Sequence, residues 1–286
     1  MAEQAAQLAH QRRALILDAV RREGAVRVAD LVGQLGVSDM TVRRDLDALA
    51  RRGLVEKVHG GAVAPAGASG HEPGFEAKSD LEGEAKAAIA DTAATLVEPG
   101  SVIAVSGGTT AHAVAARLLG VPRLTIVTNS LPVAELVWAE GRDRGADAPA
   151  LLLTGGSPTP SAALVGPLAD LAIGSLHVDL LFLGAHGVAQ DAGLTTPNLM
   201  EAQTNRALVA SARRVAVVAD HSKWGVVGLS GFAALHQADW FITDTGLPAP
   251  ARAALTDEVG ELLIAGEDGP AATPGRLPRT PPGRAG

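Results

Sequence analysis

The chemically most suggestive run in this chain of 286 residues is Ser106-Gly107-Gly108-Thr109-Thr110, set between an apolar strand pattern and a helical pattern. Glycines let a backbone approach a ligand closely. The N–H groups that open the following helix, together with the helix dipole, favour an anion. The hydroxyls of Ser106, Thr109 and Thr110 add donors, so the group this loop suits is a phosphate. No Gly-Lys-Ser/Thr follows it, so it is not a Walker loop, and it lacks the G-x-G-x-x-G of a dinucleotide site. A tight strand-to-helix turn without a ligand would carry the same residues, so the run alone leaves both readings open.

Four further apolar runs also end in polar or glycine-rich residues: Thr128-Asn129-Ser130, Thr154-Gly155-Gly156, Gly184-Ala185-His186-Gly187, and ADHSKWG over 219–225. In a parallel sheet all five ends converge on one edge, where open α/β sheets place their ligands. The set offers hydroxyls, an amide, the imidazoles of His186 and His221, and the ammonium of Lys223. That suits a phosphorylated polyol, although the spacing does not choose a sugar. His186 could do proton chemistry near its ordinary pKa of ~6.5, but no carboxylate partner is evident beside it. A hydrogen bond to a ligand hydroxyl and a purely structural bond both remain open for it. The eight histidines show no H-E-x-x-H spacing, and no metal site or cofactor is expected. No G-x-S-x-G elbow occurs, and Ser161 and Ser175 have no obvious base. Trp224 and Trp240 read as core or pocket-wall residues.

A second cluster lies near the N-terminus. Arg43, Arg44, Arg51 and Arg52 fall on one predicted helix, with Ser38 and Thr41 at its start and Lys57 and His59 on the hairpin that follows. Hydroxyls and backbone N–H groups at a helix start meet phosphates and base edges, and arginines do both. A solvated charged face on a small helical domain would look similar. The turn at Gly36, the Ser38 cap and the basic hairpin together favour a helix-turn-helix, whose second helix enters the major groove.

The elements that must position these residues are legible from periodicity. Leu15, Ile16 and Val20, with Leu8 further back, fall near helical spacing up to Gly24; Val28, Leu31, Val32 and Leu35 form a second amphipathic piece. Val42, Leu46 and Leu49 give the helix over 39–52 one apolar face, and LVEKVHGGAV alternates around Gly60-Gly61 as a small wing. Residues 64–79 read as a linker by composition. From residue 80 helices and apolar runs alternate, with strand-like runs at 101–106, 124–128, 150–156, 178–184, 215–220 and 240–244 and a last short run at 261–266 that could form an edge strand. Such alternation predicts a mostly parallel sheet covered on both faces. Residues 267–286, rich in Pro and Gly, read as a disordered tail.

Composition narrows the classes further. Hydrophobic residues make up 47% of the chain, enough for a sizeable core, and there are no cysteines, which excludes disulfides and thiolate chemistry. No apolar run approaches the ~18 residues of a membrane span, and MAEQAAQLAHQRR lacks the apolar stretch of a secretory signal. A soluble cytoplasmic protein that does not meet the membrane is the expectation. Aromatics are 2%, with no tyrosine, which argues against a base-stacking platform. The net charge of −7 is uneven: residues 1–60 hold 10 Lys+Arg against 8 Asp+Glu, the remainder 14 against 23. Only the N-terminal module can offer DNA a basic face.

Arg13 through Val63, with RRALILDAVRREG, VADLVGQLGVSDMTVRRDLDALARRG and LVEKVHGGAV, resembles the winged helix-turn-helix of the DeoR family of bacterial transcription regulators. From about Ala85 to Gly266 the chain resembles that family's effector domain, through EAKAAIADTAATLVEPGSVIAVSGGTTAHAVAARL, LTIVTNSLPVA, ALVGPLADLAI, LFLGAHGV, GLTTPNLMEAQTNRALV and VADHSKWG. The resemblance implies an α/β protein: a winged helix-turn-helix (1–63), a linker (64–79), a mostly parallel α/β effector-sensing domain similar in fold to sugar-phosphate isomerases (80–266), and the tail. It implies that Ser38, Thr41, Arg43, Arg44, Lys57 and His59 serve a double-stranded DNA operator. Asp45 would brace an arginine rather than meet DNA. It also implies that Ser106, Gly107, Gly108, Thr109 and Thr110 hold the phosphate of a phosphorylated sugar or sugar-pathway intermediate, with Asn129, Ser130, His186, Glu201 and Lys223 in or beside the pocket. The expected function is a homo-oligomeric repressor of sugar-metabolism genes, without catalysis. Two departures from the family pattern, His186 where many members have Asp and Asn205 where many have Lys, remove groups suited to acid–base work on a sugar carbonyl. They count against the alternative, an isomerase-like enzyme with an appended DNA-binding domain. A third reading is a constitutive DNA-binding protein whose sheet domain only oligomerises; the polar strand ends count against it.

Overall fold

Two units, Met1–Glu82 and Gly83–Gly286, divide the chain in a computed structural model that describes residues 2–23, 25–58, 60–63, 74–79, 81–144 and 148–267. The first unit runs α1 (Ala2–Glu23), β1 (Ala25–Arg27), α2 (Val28–Leu35), α3 (Asp39–Arg51), β2 (Glu56–Val58), β3 (Gly61–Val63) and a short α4 (Phe75–Ser79). Ile16 and Val20 of α1, Leu31 of α2, and Val42, Leu46 and Leu49 of α3 meet in one buried cluster. Their three- and four-residue spacing puts each helix's apolar stripe inward. The N–H of Gly36 closes α2 on the carbonyl of Val32. Ser38 starts α3, its Oγ accepting the N–H of Thr41 at 3.3 Å. The wing pairs β2 with β3 antiparallel as expected, and β1 adds a third strand outside β3 that the alternation in the sequence did not suggest. The short helix α4 falls within the stretch whose composition predicts a linker. Gly24, His59, the rest of that stretch at 64–73, and the predicted tail at 268–286 lie outside the described residues.

The second unit contains α5 (Gly83–Ala94), β4 (Val102–Val105), α6 (Thr109–Leu118), β5 (Thr125–Thr128), α7 (Leu131–Arg144), β6 (Ala150–Leu153), β7 (Ser157–Pro158), β8 (Leu164–Val165), α8 (Pro167–Gly174) and β9 (Leu180–Leu183). There follow β10 (Gly187–Ala189), β11 (Gly193–Thr196), α9 (Leu199–Ser211), β12 (Val215–Val218), β13 (Ser230–Ala233), β14 (Trp240–Asp244), α10 (Ala249–Glu258) and β15 (Glu261–Ala265). Seven strands form one parallel sheet in the order β15-β14-β12-β9-β4-β5-β6. The chain winds from β4 outward to β6, returns to the other side of β4 at β9, and winds outward again to β15. The reversal falls between β4 and β9.

Both faces of the sheet are covered. Ile89 of α5, Val114 of α6 and Val133 of α7 pack with Ile103, Phe182 and Val218 on one side. Ile173 of α8, Leu208 of α9 and Leu255 of α10 pack with Leu181, Leu183 and Val217 on the other. Burial on both faces is why these strands read as unbroken apolar runs rather than alternating ones. Two smaller pieces were not legible: the β7–β8 hairpin and the antiparallel sheet β10-β11-β13. Trp240 is core, with the guanidinium of Arg214 5.6 Å above its ring, and Trp224 packs partly buried against the core on the other side.

Candidate DNA-binding face and effector site

On α3 and the wing, the predicted contact residues Arg43, Arg44 and Lys57 are exposed and Thr41 is half-buried. Ser38 is spent at the helix start, where its hydroxyl also bonds that of Thr41 at 2.9 Å. Asp45 turns inward and is buried; its two oxygens accept from Nε of Arg12 at 2.5 Å and Nε of Arg13 at 2.9 Å. It thereby ties α1 to α3, as the bracing role assigned to it requires. Two cations of the face are already paired. Arg43 donates to Asp39 four residues earlier, and Lys57 of β2 donates to Asp47 of α3. The Lys57 hydrogen bond holds the Asp47 carboxyl below its ordinary range.

The site in the second unit is built at the sheet reversal. Open α/β sheets leave a crevice at the carboxyl ends of strands where the winding direction changes. Ser106 follows β4 and Gly184 follows β9; the amide of Gly184 donates to Ser106 Oγ at 2.9 Å, and the amide of Ser106 donates to the Phe182 carbonyl at 3.0 Å. Two residues of the loop have to be glycine. A Cβ on Gly107 would stand 2.7 Å from that of Ala163, and Gly108 holds a φ of 119°, outside the range of L side chains. Gly108 is the N-cap of α6 and supplies no side-chain cap, so the first-turn amides of that helix, including those of Thr109 and Thr110, keep their donors for another acceptor.

Next to it, β5 ends in Thr128, whose hydroxyl donates to the Val105 carbonyl at 2.7 Å and locks the two strand ends together. Asn129 is buried; its Nδ2 donates to the Leu164 carbonyl at 3.0 Å and its main chain pairs with Leu164, while its buried Oδ1 has no hydrogen-bond partner among the described residues. The β7–β8 hairpin is thereby fastened over the Ser106–Gly108 loop. Glu201, in the first turn of α9, fastens the other side of that hairpin: its Oε1 accepts from Thr159 at 2.6 Å and from Ser161, and its Oε2 accepts from Thr196 at 3.0 Å.

The predicted effector residues therefore divide. The loop 106–110 and Asn129 come together at the reversal. Ser130 is buried, and its Oγ accepts the N–H of Val133 inside α7 at 3.4 Å, a capping role rather than a pocket-facing one. Glu201 is committed to three hydroxyls and acts through the hairpin. His186 is half-buried in the loop between β9 and β10, with its amide on the Thr195 carbonyl. Lys223 stands on the same sheet edge beyond β12, two strands from β4 and so roughly 10 Å away at ordinary strand spacing; its Nζ is 4.0 Å from the buried Asp220. Beyond it, His221 gives its amide and ring nitrogen to Asp244 at 2.7 and 2.8 Å. Burial opposes ionisation of Asp244, but these His221 bonds, with one from the Gly246 amide, hold its pKa below the ordinary value. Sequence reading missed Thr159, Ser161 and Ala163, which reach the site from an element too short to show a period. It also missed Asp39, whose four-residue spacing to Arg43 was the available signal.

A two-helix turn with a wing, followed by a parallel sheet with a glycine loop and free helix-start amides at its reversal, suits a DNA-binding regulator with a ligand-sensing domain. Residues 12–67 match the DeoR-like helix-turn-helix domain and residues 82–245 the DeoR C-terminal sensor domain. The chain belongs to the DeoR family of transcriptional regulators. It is 35% identical to the HTH-type transcriptional regulator YgbI of Escherichia coli K12 over 89% of this chain and 97% of the relative. It is 37% identical to the HTH-type transcriptional regulator GlpR of Haloferax volcanii, over 85% and 92%. It is 32% identical to the glycerol-3-phosphate regulon repressor of Escherichia coli K12, over 89% and 98%. Among solved structures, ribose 5-phosphate isomerase A of Methanocaldococcus jannaschii overlaps 49% of this chain and 53% of its own, at 20% identity and a TM-score of 0.35, too loosely to argue from.

Proposed function

We propose that the protein is a repressor of sugar-metabolism genes whose DNA affinity is set by a phosphorylated sugar or sugar-pathway intermediate. The observation that carries this is the set of groups at the β4–β9 reversal: uncapped first-turn amides at α6, a loop whose close approach to Ala163 requires glycine, and the buried Oδ1 of Asn129, without a partner among the described residues. The amides suit a phosphate, and a lone carbonyl oxygen shielded from water suits a ligand hydroxyl. The kinship with a glycerol-3-phosphate regulon repressor supports the same ligand chemistry.

In this reading Thr41, Arg43, Arg44 and Lys57 meet operator DNA, with His59 of the wing joining them. Residues 106–110, Asn129, His186 and Lys223 surround the effector, while Ser130 and Glu201 support that site from behind. Residues 1–63 act as the DNA-binding domain and 80–266 as the sensor. No catalysis is assigned. Glu201 is occupied by three hydroxyls, and His186 stands where a carboxylate would be wanted. The protein works in the cytoplasm, away from the membrane; among the described residues no helix is long and apolar enough to cross one. It acts as a homo-oligomer, since two recognition helices about one DNA turn apart read a symmetric operator.

The test is fluorescence anisotropy on the duplex upstream of the protein's own gene, with and without a panel of sugar phosphates. Tight, salt-dependent binding that one ester changes, and that ester's loss of effect in Gly107→Ala, support the reading. Binding indifferent to every ester would remove the phosphosugar pocket and leave the DNA-binding half.

A further inference from the structure

Arg43 does not wait free on the recognition helix. Its Nε donates to Asp39 Oδ1 at 2.5 Å and its Nη2 to Asp39 Oδ2 at 3.3 Å, a side-on pair between residues four apart, each about half exposed. The carboxylate raises the affinity of that guanidinium for its proton, first through the hydrogen bond and then through charge. A guanidinium has five N–H donors in a rigid plane. Asp39 takes the Nε–H and one of those on Nη2. What remains is the far end of the fork, two hydrogens on Nη1 and one on Nη2. That end-on fork is the one that bonds O6 and N7 of guanine in the major groove. Asp39 and Arg43 lie in the first half of α3, the half that faces base edges when such a helix enters the groove.

The pair also carries a cost that depends on sequence. Arg43 could leave Asp39 for a phosphate, but the carboxylate would then face the polyanion unpaired. Docked on DNA without a guanine at that position, the pair stays neutral, its fork finds no base acceptor and the desolvation of the pair is not offset. Arg44, one residue on and about 100° round the helix, is exposed and makes no ion pair among the described residues. It is suited to phosphate, which carries no sequence information.

We propose that Asp39 is a specificity-determining positioning residue: by holding the Nε edge of Arg43 it presents the end-on fork to one guanine in each half-site and disfavours docking elsewhere. This rests on α3 being the DNA-reading helix.

The experiment uses the full chain. A duplex is selected from a random pool by the wild-type protein, and anisotropy titrations follow on that duplex, on every single base-pair swap of it, and on a scrambled duplex. For the wild type, one G·C position per half-site should discriminate roughly 10- to 100-fold and lose that discrimination in Arg43→Ala. In Asp39→Ala, discrimination at that same position should fall to about 3-fold or less while every other position keeps its own. Affinity for the scrambled duplex should rise, and its log–log salt slope should steepen by about one phosphate contact, roughly 0.9. Asp39→Asn keeps a helix-starting acceptor without the charge and should relax the same position. Asp39→Glu, which can still reach the guanidinium, should restore part of the discrimination. A helix that is merely destabilised would instead lose affinity for all duplexes alike and lower the melting temperature. That pattern, or full discrimination at every position in Asp39→Ala, overturns the proposal. Wild-type binding by both Arg43→Ala and Arg44→Ala has a different meaning: the premise that α3 reads DNA fails, and the proposal falls with it.

Discussion

Asp45 is a carboxylate placed where water barely reaches, in contact with two guanidiniums from another helix. Removing one partner of a buried charge pair costs more than forming the pair gains, because the other charge is stranded. Here both arginines keep some exposure, so Asp45→Ala should cost about 2–4 kcal/mol. Amide hydrogen exchange of the intact protein checks this: protection across α1 and α3 should fall by roughly 30- to 1,000-fold, while the second unit is unchanged. The sequence assigned Asp45 to bracing an arginine rather than meeting DNA, but not which one: its partners in α1 lie 33 and 32 residues earlier, a distance no helical period spans. His112 of α6 makes a second case. Burial holds its imidazole below the ordinary value. The folded state then binds fewer protons than the unfolded one, so stability is complete above the unfolded value near ~6.5 and declines as pH falls through it. His112→Gln should flatten the loss of melting temperature between pH 8 and pH 5.5. An unchanged slope would place the acid sensitivity in another group.

At the scale of elements, the β7–β8 hairpin is the part of the site with the fewest covalent reasons to be where it is. Its strands are two residues long, and beyond each other they pair only at the edge with the segment after β5, where the Leu164 amide donates to the Asn129 carbonyl at 2.6 Å. It is kept in place by Asn129 on one side and by Glu201 on the other. Glu201→Ala deletes the common acceptor of Thr159, Ser161 and Thr196, and should cost about 1–3 kcal/mol. Exchange over 157–165 should quicken and effector affinity should weaken, with DNA affinity in the absence of effector retained. Glu201→Gln keeps one carbonyl oxygen for Thr159 and Ser161 and should do less harm. Equal exchange in all three proteins would mean that the hairpin is held by Asn129 alone. The seven strands of the main sheet were legible because each is an apolar run stopped by Gly, Asp or Thr. The hairpin was not, because Ser-Pro and Leu-Val are too short to show alternation and owe their place to the cross-chain bonds of Asn129. The same holds for β1 and for β10-β11-β13, which form because a neighbouring strand offers an edge.

For the whole molecule, function is linkage between a DNA-reading segment over residues 1–60, net +2, and the rest of the chain, net −9. Net charge favours DNA contact by the first segment, and a sensor that acts on operator affinity then does so by biasing how the recognition helices are presented. A ligand shifts such an equilibrium only as far as its own affinity differs between the two states. If the effector changes operator affinity a hundredfold, the coupling is about 2.7 kcal/mol, and the operator must change effector affinity by the same hundredfold factor. Isothermal titration of the identified sugar phosphate into the protein, alone and saturated with operator duplex, should therefore give dissociation constants that differ by the ratio found from DNA binding. The sign follows too: an effector that releases DNA binds more weakly to the complex. Arg44→Ala weakens both DNA states alike and should leave that ratio untouched, whereas Glu201→Ala, by loosening the hairpin over the effector loop, should shrink it. Identical effector affinity with and without operator would separate the two units thermodynamically and confine the sensor domain to assembly.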